Sequence, residues 1–593
     1  MKKSKVIISV IVMLSLMSIY IPNVMAEEED SKFMPFTVGV SDTPQNVDPA
    51  NAYDSVSYDT LNQVYEGLYT YNLSSPAMES IPLLAKEMGN WSADNLNLTI
   101  ALREDVLFHD NTTFNATDVK WNFDRIFYFA EEQRSDPYTL YYNGEKWGDG
   151  TPQLIVNETI IVDEFTIKFV LNKAFGIWDK MLAFTGSSII KPNPAFEKEF
   201  LTLSDPAVGT GPFKLTAVEP DQYVTMEKFD DYYSGPANIS KIYYSVIKDG
   251  EVASTAMLNH ELHYGGVLAE HLAEAEADPD ITIERVKTTV VFYLQLGYHT
   301  LPHAVRKAMQ FGWNYTYYLE ETLQGEAYEL HTPIPDGMEF YNPDIEGLPY
   351  YNKTMARQFL IDDQSELENP VPAGLTATSP DSEWEAVATG DNPLFTSNFT
   401  RYTSTGLEKI KTQLIDNYAD IGIKVVDWHI GDWGTWTEWS QTPGNKALLD
   451  ISMGGWGPDY NDAINMIEPI FKTNATYNTA QINETDLDDL MDANFGITDT
   501  ALRQASFDEI VTKLIVDYAP CFYIYQRGGR EVYNNKYVSN IQDMLNVFDN
   551  TYWYNVEYIP QPVPGIPGFT LGYMLIACLG AVSLVIFAVK KRH

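Results

Sequence analysis

The sequence of 593 residues is poor in cysteine, since it contains only Cys521 and Cys578. Cys578 lies in an uncharged apolar run near the carboxyl end, so it cannot pair with Cys521 inside a water-soluble domain. The missing pair excludes a disulfide framework, and the domain between the two ends must be stable through its packed core alone. No cysteine follows the amino-terminal apolar run either, which excludes a lipid attached at that point.

Positively charged residues are also scarce, with 39 lysines and arginines against 82 aspartates and glutamates. A nucleic-acid-binding protein needs a basic surface, so the net charge of −43 excludes nucleic acid as a partner. The charge favours a soluble, salt-tolerant surface. The hydrophobic fraction of 45% is typical of a globular chain, and the length predicts two or three domains.

Motifs of known catalytic sites are missing as well. No Walker sequence occurs, and Gly209-Thr210-Gly211 precedes an alternating stretch, which predicts a turn that crosses between domains. His260-Glu261-Leu262-His263 is one residue short of a zinc-protease helix, because residue 264 is tyrosine; a metal site there is the minor alternative. His109 is interpreted as a structural hydrogen-bonding residue.

Asp459 and Asp462 could serve as the acids of a glycosidase, but nothing in their loop indicates a raised pKa. We predict no enzyme, cofactor or metal, with an enzyme as the minor alternative.

The amino end has the parts of a secretory signal. A basic start, Lys2-Lys3, precedes an apolar run over residues 6–21, and Val24-Met25-Ala26 supplies small residues before an expected cleavage. We predict a signal peptide over residues 1–26. The alternative is an uncleaved membrane anchor.

The carboxyl end predicts a membrane anchor. Residues 559–569 are rich in proline and glycine and form a stiff linker, and residues 570–589 carry no charge over ~30 Å of helix. The tail, residues 590–593, begins Lys590-Lys591-Arg592 and stays cytoplasmic by the positive-inside rule. The protein is therefore expected on the extracellular face of the membrane, held by one carboxyl-terminal transmembrane helix.

A dense set of Asn-x-Ser/Thr triplets supports an exterior location and predicts N-glycosylation. The candidate asparagines are Asn72, Asn90, Asn97, Asn111, Asn115, Asn157, Asn238, Asn314, Asn352, Asn398, Asn474 and Asn483.

Periodicity predicts a mixed α/β chain. Alternation predicts a strand over 96–102, and apolar faces of period 3.6 predict helices over 118–130, 408–420 and 505–518. A strand over 423–426 follows the second helix. The acidic, weakly patterned stretch 362–391 is interpreted as a surface insertion or long loop.

Seven short motifs resemble, in order, those of the peptide/oligopeptide-binding receptors of ABC importers, solute-binding family 5. The clearest are Tyr65-Glu66-Gly67-Leu68, the run from Leu102 to Asp110, Gly209-Thr210-Gly211-Pro212-Phe213, and Gly455-Trp456-Gly457-Pro458-Asp459-Tyr460. The carboxyl-terminal tail also resembles the archaeal sorting signal that is exchanged for a lipid.

The resemblance implies a two-lobed, hinged α/β fold of the periplasmic-binding-protein type. Lobe I would comprise residues 33–65, 191–290 and 529–558, an extra domain would be inserted over 66–190, and lobe II would comprise 291–528. The implied function is capture of di- or oligopeptides in the cleft between the lobes, as a monomer, for a permease with separate ATPase subunits. Oligosaccharide binding, nickel-chelate binding and a purely structural surface glycoprotein remain alternatives.

The resemblance also implies a ligand site. Asp459 stands where peptide-binding relatives hold the ligand's α-amino group, with Gly455, Trp456 and Tyr460 beside it. Arg401 has the spacing of an arginine that holds the ligand carboxylate, and Tyr53 is a further candidate ligand-binding residue. The alternatives are that Asp459 only caps the next turn and that Trp456 only packs in the core.

Overall fold

The computed structural model describes residues 34–560 except 74, 76–78, 136, 147, 149, 432–434, 437–438, 441, 476, 498 and 542–550. The predicted signal peptide, most of the linker, the transmembrane helix over 570–589 and the basic tail lie outside the described residues. Across the part of the chain that is described, no helix has the length and apolar character needed to cross a membrane.

The strands and helices alternate along the chain. The strands are β1 (Phe36–Val40), β2 (Tyr69–Tyr71), β3 (Ser80–Pro82), β4 (Asn90–Trp91), β5 (Asn97–Ala101), β6 (Tyr142–Lys146), β7 (Pro152–Leu154), β8 (Val156–Asp163), β9 (Thr166–Leu171), β10 (Phe213–Glu219), β11 (Tyr223–Lys228), β12 (Lys241–Val246), β13 (Tyr264–Gly265), β14 (Ile281–Leu296), β15 (Ala327–Tyr328), β16 (Phe395–Tyr402), β17 (Ile423–Gly431), β18 (Ile451–Trp456), β19 (Cys521–Asn534), β20 (Val538–Ser539) and β21 (Glu557–Tyr558). The longer helices are α1 (Ser55–Val64), α2 (Ala116–Glu131), α3 (Gly250–Leu258), α4 (Leu272–Ala277), α5 (His303–Gly312), α6 (Lys353–Asp362), α7 (Asp381–Thr389), α8 (Thr405–Ala419), α9 (Thr485–Asn494) and α10 (Thr500–Val511). One-turn helices are Trp178–Met181, Tyr315–Tyr317, Pro443–Lys446 and Glu468–Phe471.

The largest sheet runs through both lobes of the α/β fold. Its strand order is β10-β11-β12-β1-β13-β19-β14-β18-β16-β17, with β15 beside β19. The long strands β14 and β19 pair over most of their length, and their register shifts between Lys287 and Val291 and again between Phe292 and Tyr293. The predicted boundary between lobes I and II, at 290–291 and 528–529, falls at the first of these shifts and stays a prediction.

The segment predicted as an inserted domain has its own sheet, in the order β4-β5-β9-β8. Helix α2 starts in a capping box, in which the Asn115 side chain accepts from the Thr117 backbone N–H and Asp118 accepts from that of Asn115. The apolar face of α2, including Phe123, is buried in a core shared with Ile167 and Phe169 of β9.

This segment also packs against lobe II. The Phe175 and Phe495 rings stack with centroids 4.7 Å apart, and the Gly176 N–H donates to the Phe495 carbonyl at 3.1 Å. The Lys180 ammonium lies 3.0 Å from the Asp462 carboxylate. The predicted inserted domain and the predicted lobe II are therefore in contact.

Most predicted elements are confirmed. The predicted strand over 96–102 is β5, the helix over 118–130 is α2, and that over 408–420 is α8, followed by β17. The predicted helix over 505–518 is α10 continued by a π-helical turn, Thr512–Tyr518, and Ala519 leaves it with φ of 52°.

The interpretation of 362–391 as a loop is wrong in part, because it contains α7. Trp384 on this helix is fully buried, and its indole N–H donates to the Thr376 carbonyl at 3.1 Å. The helix has nine residues, of which only Trp384 and Ala388 are buried. Two buried positions give too weak a 3.6-residue hydrophobic period for the helix to be predicted from the sequence.

The turn Gly209–Gly211 packs closely against another segment of the chain, and its crossing between domains stays a prediction. A Cβ on Gly209 would lie 2.1 Å from the Val64 carbonyl oxygen. The close approach of these two segments of the chain therefore requires glycine. His109 is buried beside this turn, where it accepts from the Gly209 N–H and contacts the Gly211 carbonyl at 2.9 Å. Burial lowers the pKa of His109 to about 4, so it is a neutral structural residue, as predicted.

Candidate functional site

Asp459 lies in the loop that follows β18. This strand pairs with β14, and its last residue, Trp456, stands opposite Val291 at the register shift. Gly455 packs against Phe292, because a Cβ at this position would lie 2.8 Å from the Phe292 ring. The sheet therefore places the loop beside the predicted boundary between the two lobes.

The Asp459 carboxyl group is half-buried and held by neutral donors. One oxygen accepts from the Asn465 side-chain amide at 2.9 Å, and the Tyr53 hydroxyl donates to the carboxylate. Loss of hydration raises the pKa of Asp459 to about 6, while the hydrogen bonds from Asn465 and Tyr53 act in the opposite direction. Among the described lysines and arginines, none forms a salt bridge with Asp459. The carboxylate is left without a countercharge.

Three tyrosines from separate parts of the chain interact electrostatically with this carboxylate, and a fourth, Tyr477, interacts with Tyr53. Tyr53 precedes α1, Tyr71 ends β2, Tyr141 precedes β6, and Tyr477 belongs to lobe II. The negative charge of Asp459 contributes to raising the pKa of Tyr53, Tyr71 and Tyr141, after the larger effect of burial. An acid among aromatic rings and neutral hydroxyls can bind a small cation and pack against its carbon skeleton.

The alternative role of Asp459 as a turn cap is taken by another residue. Asp462 caps the following 3-10 turn, Ala463–Met466, by accepting from the Ile464 N–H at 3.1 Å. Its buried carboxylate also binds both Arg503 nitrogens, at 2.7 and 2.8 Å, and the Lys180 ammonium. The two acids three residues apart therefore differ: Asp462 is neutralised and structural, whereas Asp459 has no charged partner among the described residues.

Trp456 forms part of the wall beside Asp459. Its ring centroid lies 5.0 Å from that of Tyr477, and its buried indole N–H has no hydrogen-bond partner among the residues described. Tyr460 is buried, and Gly455 is exposed. Trp456, Tyr53 and Asp459 are thus brought together, and their contact with a ligand stays a prediction.

Arg401 lies on β16 with its guanidinium group fully engaged. It forms a bidentate pair with Asp427 of β17, at 2.7 and 2.8 Å, and an ion pair of 2.6 Å with Glu408. The structure places it among these acids and not in contact with Asp459, and its role in holding a ligand carboxylate stays a prediction.

Sequence reasoning missed four of the residues around Asp459. Tyr71, Tyr141 and Tyr477 were not recognised, because the chain has 38 tyrosines and nothing in their local patterns marks them. Asn465 was missed although it lies only six residues from Asp459; its position in a turn was the available signal.

The segment His260–His263 forms a turn that leads into β13, as predicted. His260 instead lies near Asp278 and Asp280, with one possible ligand atom from each within 4.8 Å of the others. Asp280 also lies 3.8 Å from the Lys536 ammonium. This group stands at the start of β14, ten residues or roughly 33 Å along the strand from Val291 and the Asp459 loop.

None of the twelve candidate glycosylation asparagines is buried. Six are exposed, namely Asn90, Asn111, Asn157, Asn238, Asn474 and Asn483, and the other six are half-buried. Their modification stays a prediction.

Known proteins are similar to this chain in both sequence and structure. The model of the bacterial extracellular solute-binding proteins, family 5, middle region, matches residues 79–478. The glutathione-binding protein GsiB of Pectobacterium atrosepticum is 23% identical over 498 residues, covering 82% of this chain and 87% of the relative. Among solved structures, DppA of Helicobacter pylori in complex with the peptide STSA has a TM-score of 0.69 at 20% identity, covering 90% and 100% of the two chains. NikA of Staphylococcus aureus in complex with Ni(L-His)2 has a TM-score of 0.65 at 15% identity, covering 88% and 99%.

Proposed function

This chain belongs to family 5 of the extracellular solute-binding proteins, and on that premise we propose that it binds a peptide by its free α-amino group at Asp459. The bound peptide is then delivered to the permease of an ABC importer, whose separate ATPase subunits supply the energy. The observation that carries the proposal is the half-buried Asp459 carboxylate, held by neutral donors between Tyr53 of lobe I and Asn465 of lobe II.

The physical reason is charge compensation. An ammonium group that enters a closed cleft loses its hydration and needs an anionic partner. Asp459 meets that need, and a single carboxylate at a set depth also determines the register of the peptide. The tyrosine rings and Trp456 form apolar walls that can contact the side chains at the amino end of the bound peptide. These walls carry no second charged group that would select one peptide sequence.

A substitution at Asp459 tests the proposal. The protein is incubated with a pool of free tripeptides, the retained species are identified by mass spectrometry, and one of them is titrated by calorimetry. We expect Asp459→Asn to weaken binding by about 2–5 kcal/mol, or about 30- to several-thousand-fold. N-acetylation of the peptide is expected to weaken binding to the unsubstituted protein by a similar factor.

The matched control is Asp489→Asn, which removes an exposed charge from α9. It is expected to bind like the unsubstituted protein. Equal affinity for free and acetylated peptide, unchanged in Asp459→Asn, would remove Asp459 from the site.

An oligosaccharide is the second candidate ligand, and the pairing of Arg401 favours it. The Asp427 and Glu408 carboxylates already neutralise this guanidinium group. A sugar needs no cation there and can stack on rings such as Trp456. Retention of a neutral sugar by the purified protein, with no peptide retained, would favour this candidate.

We infer from the sequence of the two ends that the protein is secreted and then held at the outer face of the membrane by residues 570–589. Glycans on the exposed asparagines fit this location. Protease treatment of intact cells, followed by detection of the released domain and its glycans, tests both features.

A further inference from the structure

A cavity with polar and apolar lining residues lies next to the proposed peptide site. It has a volume of about 240 Å³ and lies between the end of α1, strand β2 and the segment around Tyr554. We name it the Glu66 pocket, after a lining that includes Asn62, Glu66, Tyr71, Tyr232 and Tyr554. Tyr71 also interacts electrostatically with Asp459, so the two sites share this side chain as a wall.

The pocket contains two buried polar groups with open hydrogen-bonding capacity. Glu66 is 5% exposed, and its Oε1 accepts from the hydroxyls of Tyr232 and Tyr233 at 2.7 and 2.8 Å. Its Oε2 and the side-chain nitrogen of Asn62, which is 6% exposed, have no hydrogen-bond partner among the described residues. An open acceptor and an open donor in a cavity of this size indicate a ligand that supplies both partners.

The charges around Glu66 do not neutralise it. The groups that face it are the hydroxyls of Thr210, Tyr232 and Tyr233, the ring of Tyr554, and Arg103 as the nearby cation. Arg103 is paired bidentately with Asp105 and lies over the Tyr233 ring at 4.4 Å. Burial therefore dominates and raises the pKa of Glu66 to about 7.

We propose that the Glu66 pocket binds a primary ammonium group at the end of a short aliphatic chain, such as the side chain of a basic residue in a peptide held at Asp459. The single open oxygen suits an ammonium better than a guanidinium fork, which needs two. The tyrosine rings and the apolar lining residues Leu73, Ile81 and Leu83 cover the methylene groups. The open amide of Asn62 donates to a carbonyl oxygen of the same ligand.

The inference rests on the proposed function for the identity of the ligand, but the pocket can be tested separately. The full-length Asp459→Asn protein is titrated with n-butylammonium chloride by calorimetry, so that binding of the amine at Asp459 is removed. Neutral n-butanol and potassium chloride are the control probes. The same titration is repeated with the double variant Asp459→Asn/Glu66→Gln.

We expect n-butylammonium to bind to the first variant and to lose at least about tenfold in affinity in the double variant. Its affinity should rise about tenfold from pH 6 to pH 8, because the carboxyl group must be ionised to pair with the cation. Near pH 7 about half a proton should be released per amine bound, as shown by titration in buffers of different ionisation enthalpy. These last two readouts need no substitution at Glu66, so they decide the question even where the double variant does not fold.

Equal affinity in both variants, equal binding of n-butanol, or a pH-independent affinity would overturn the proposal. Displacement of the amine by potassium at equal concentration would overturn it too, in favour of a site for inorganic cations. Loss of the Asp459 effect on peptides would remove the proposed function and leave the amine titration intact.

Discussion

At the scale of single residues, Asp459 makes peptide binding dependent on pH. Its pKa is raised to about 6 from an ordinary value of 3.8, since the surrounding protein removes water from the carboxylate. Only the ionised form can pair with an ammonium group. We therefore expect peptide affinity to be constant near pH 7 and to fall about tenfold for each pH unit below 6.

Calorimetric titration of the selected peptide between pH 4.5 and pH 7.5 measures this dependence. The Asp489→Asn variant serves as the control and is expected to follow the same curve. An affinity that stays constant down to pH 5 would contradict the assignment of the ammonium group to Asp459.

Asp462, three residues further on, contributes to stability. It is fully buried, Arg503 is 8% exposed, and Lys180 lies 3.0 Å away. Asp462→Asn keeps the shape of the side chain but leaves the Arg503 charge buried without its partner. We expect a loss of about 3–5 kcal/mol and a thermal midpoint lower by several degrees, as followed by circular dichroism. A midpoint within one degree of that of Asp489→Asn would contradict this expectation.

At the scale of elements, α2 shows how local chemistry defines a helix boundary. Asn115 and Asp118 form reciprocal hydrogen bonds with the first backbone N–H groups of the helix. Asn115→Ala removes one of these bonds and should cost about 1 kcal/mol in chemical denaturation. Because Asn115 is also a glycosylation candidate, Thr117→Ala is the matched control: it removes the triplet but keeps the cap.

We expect Thr117→Ala to unfold at the same denaturant concentration as the protein with an intact cap and no glycan. If both substitutions shift unfolding equally, the effect belongs to the glycan and the capping role is wrong.

At the scale of the whole molecule, β14 and β19 cross the predicted boundary between the two lobes. Their register shifts near Val291, and a Cβ on Gly528 would lie 2.6 Å from the Glu326 carbonyl oxygen. A bend at this place would move the Asp459 loop away from Tyr53 and open the site. We expect the ligand-free protein to populate an open form and the selected peptide to favour a closed form in which Tyr53 contacts Asp459.

Small-angle scattering with and without the peptide tests this motion. The radius of gyration should decrease on binding, and Asp459→Asn at the same peptide concentration should keep the ligand-free value. An unchanged radius on saturation of the unsubstituted protein would reject a mobile cleft.

The sequence by itself determined the features that depend on neighbouring residues and on family motifs. The helices α2 and α8 follow from their apolar period, His109 and the Gly209–Gly211 turn were recognised as structural, and Asp459 was selected from its motif. Such features are local because caps, turns and periodic faces involve residues only a few positions apart.

Only the tertiary structure decided which distant residues meet. Tyr71 and Tyr141 lie hundreds of residues from Asp459 in the chain, and no local pattern links them to it. The pairing of Arg401 with Asp427, the contact of Lys180 with Asp462 and the open oxygen of Glu66 likewise depend on how whole segments pack. Charge and hydration in the site are set by these long-range contacts, so the surroundings of Asp459 could not be derived from its motif.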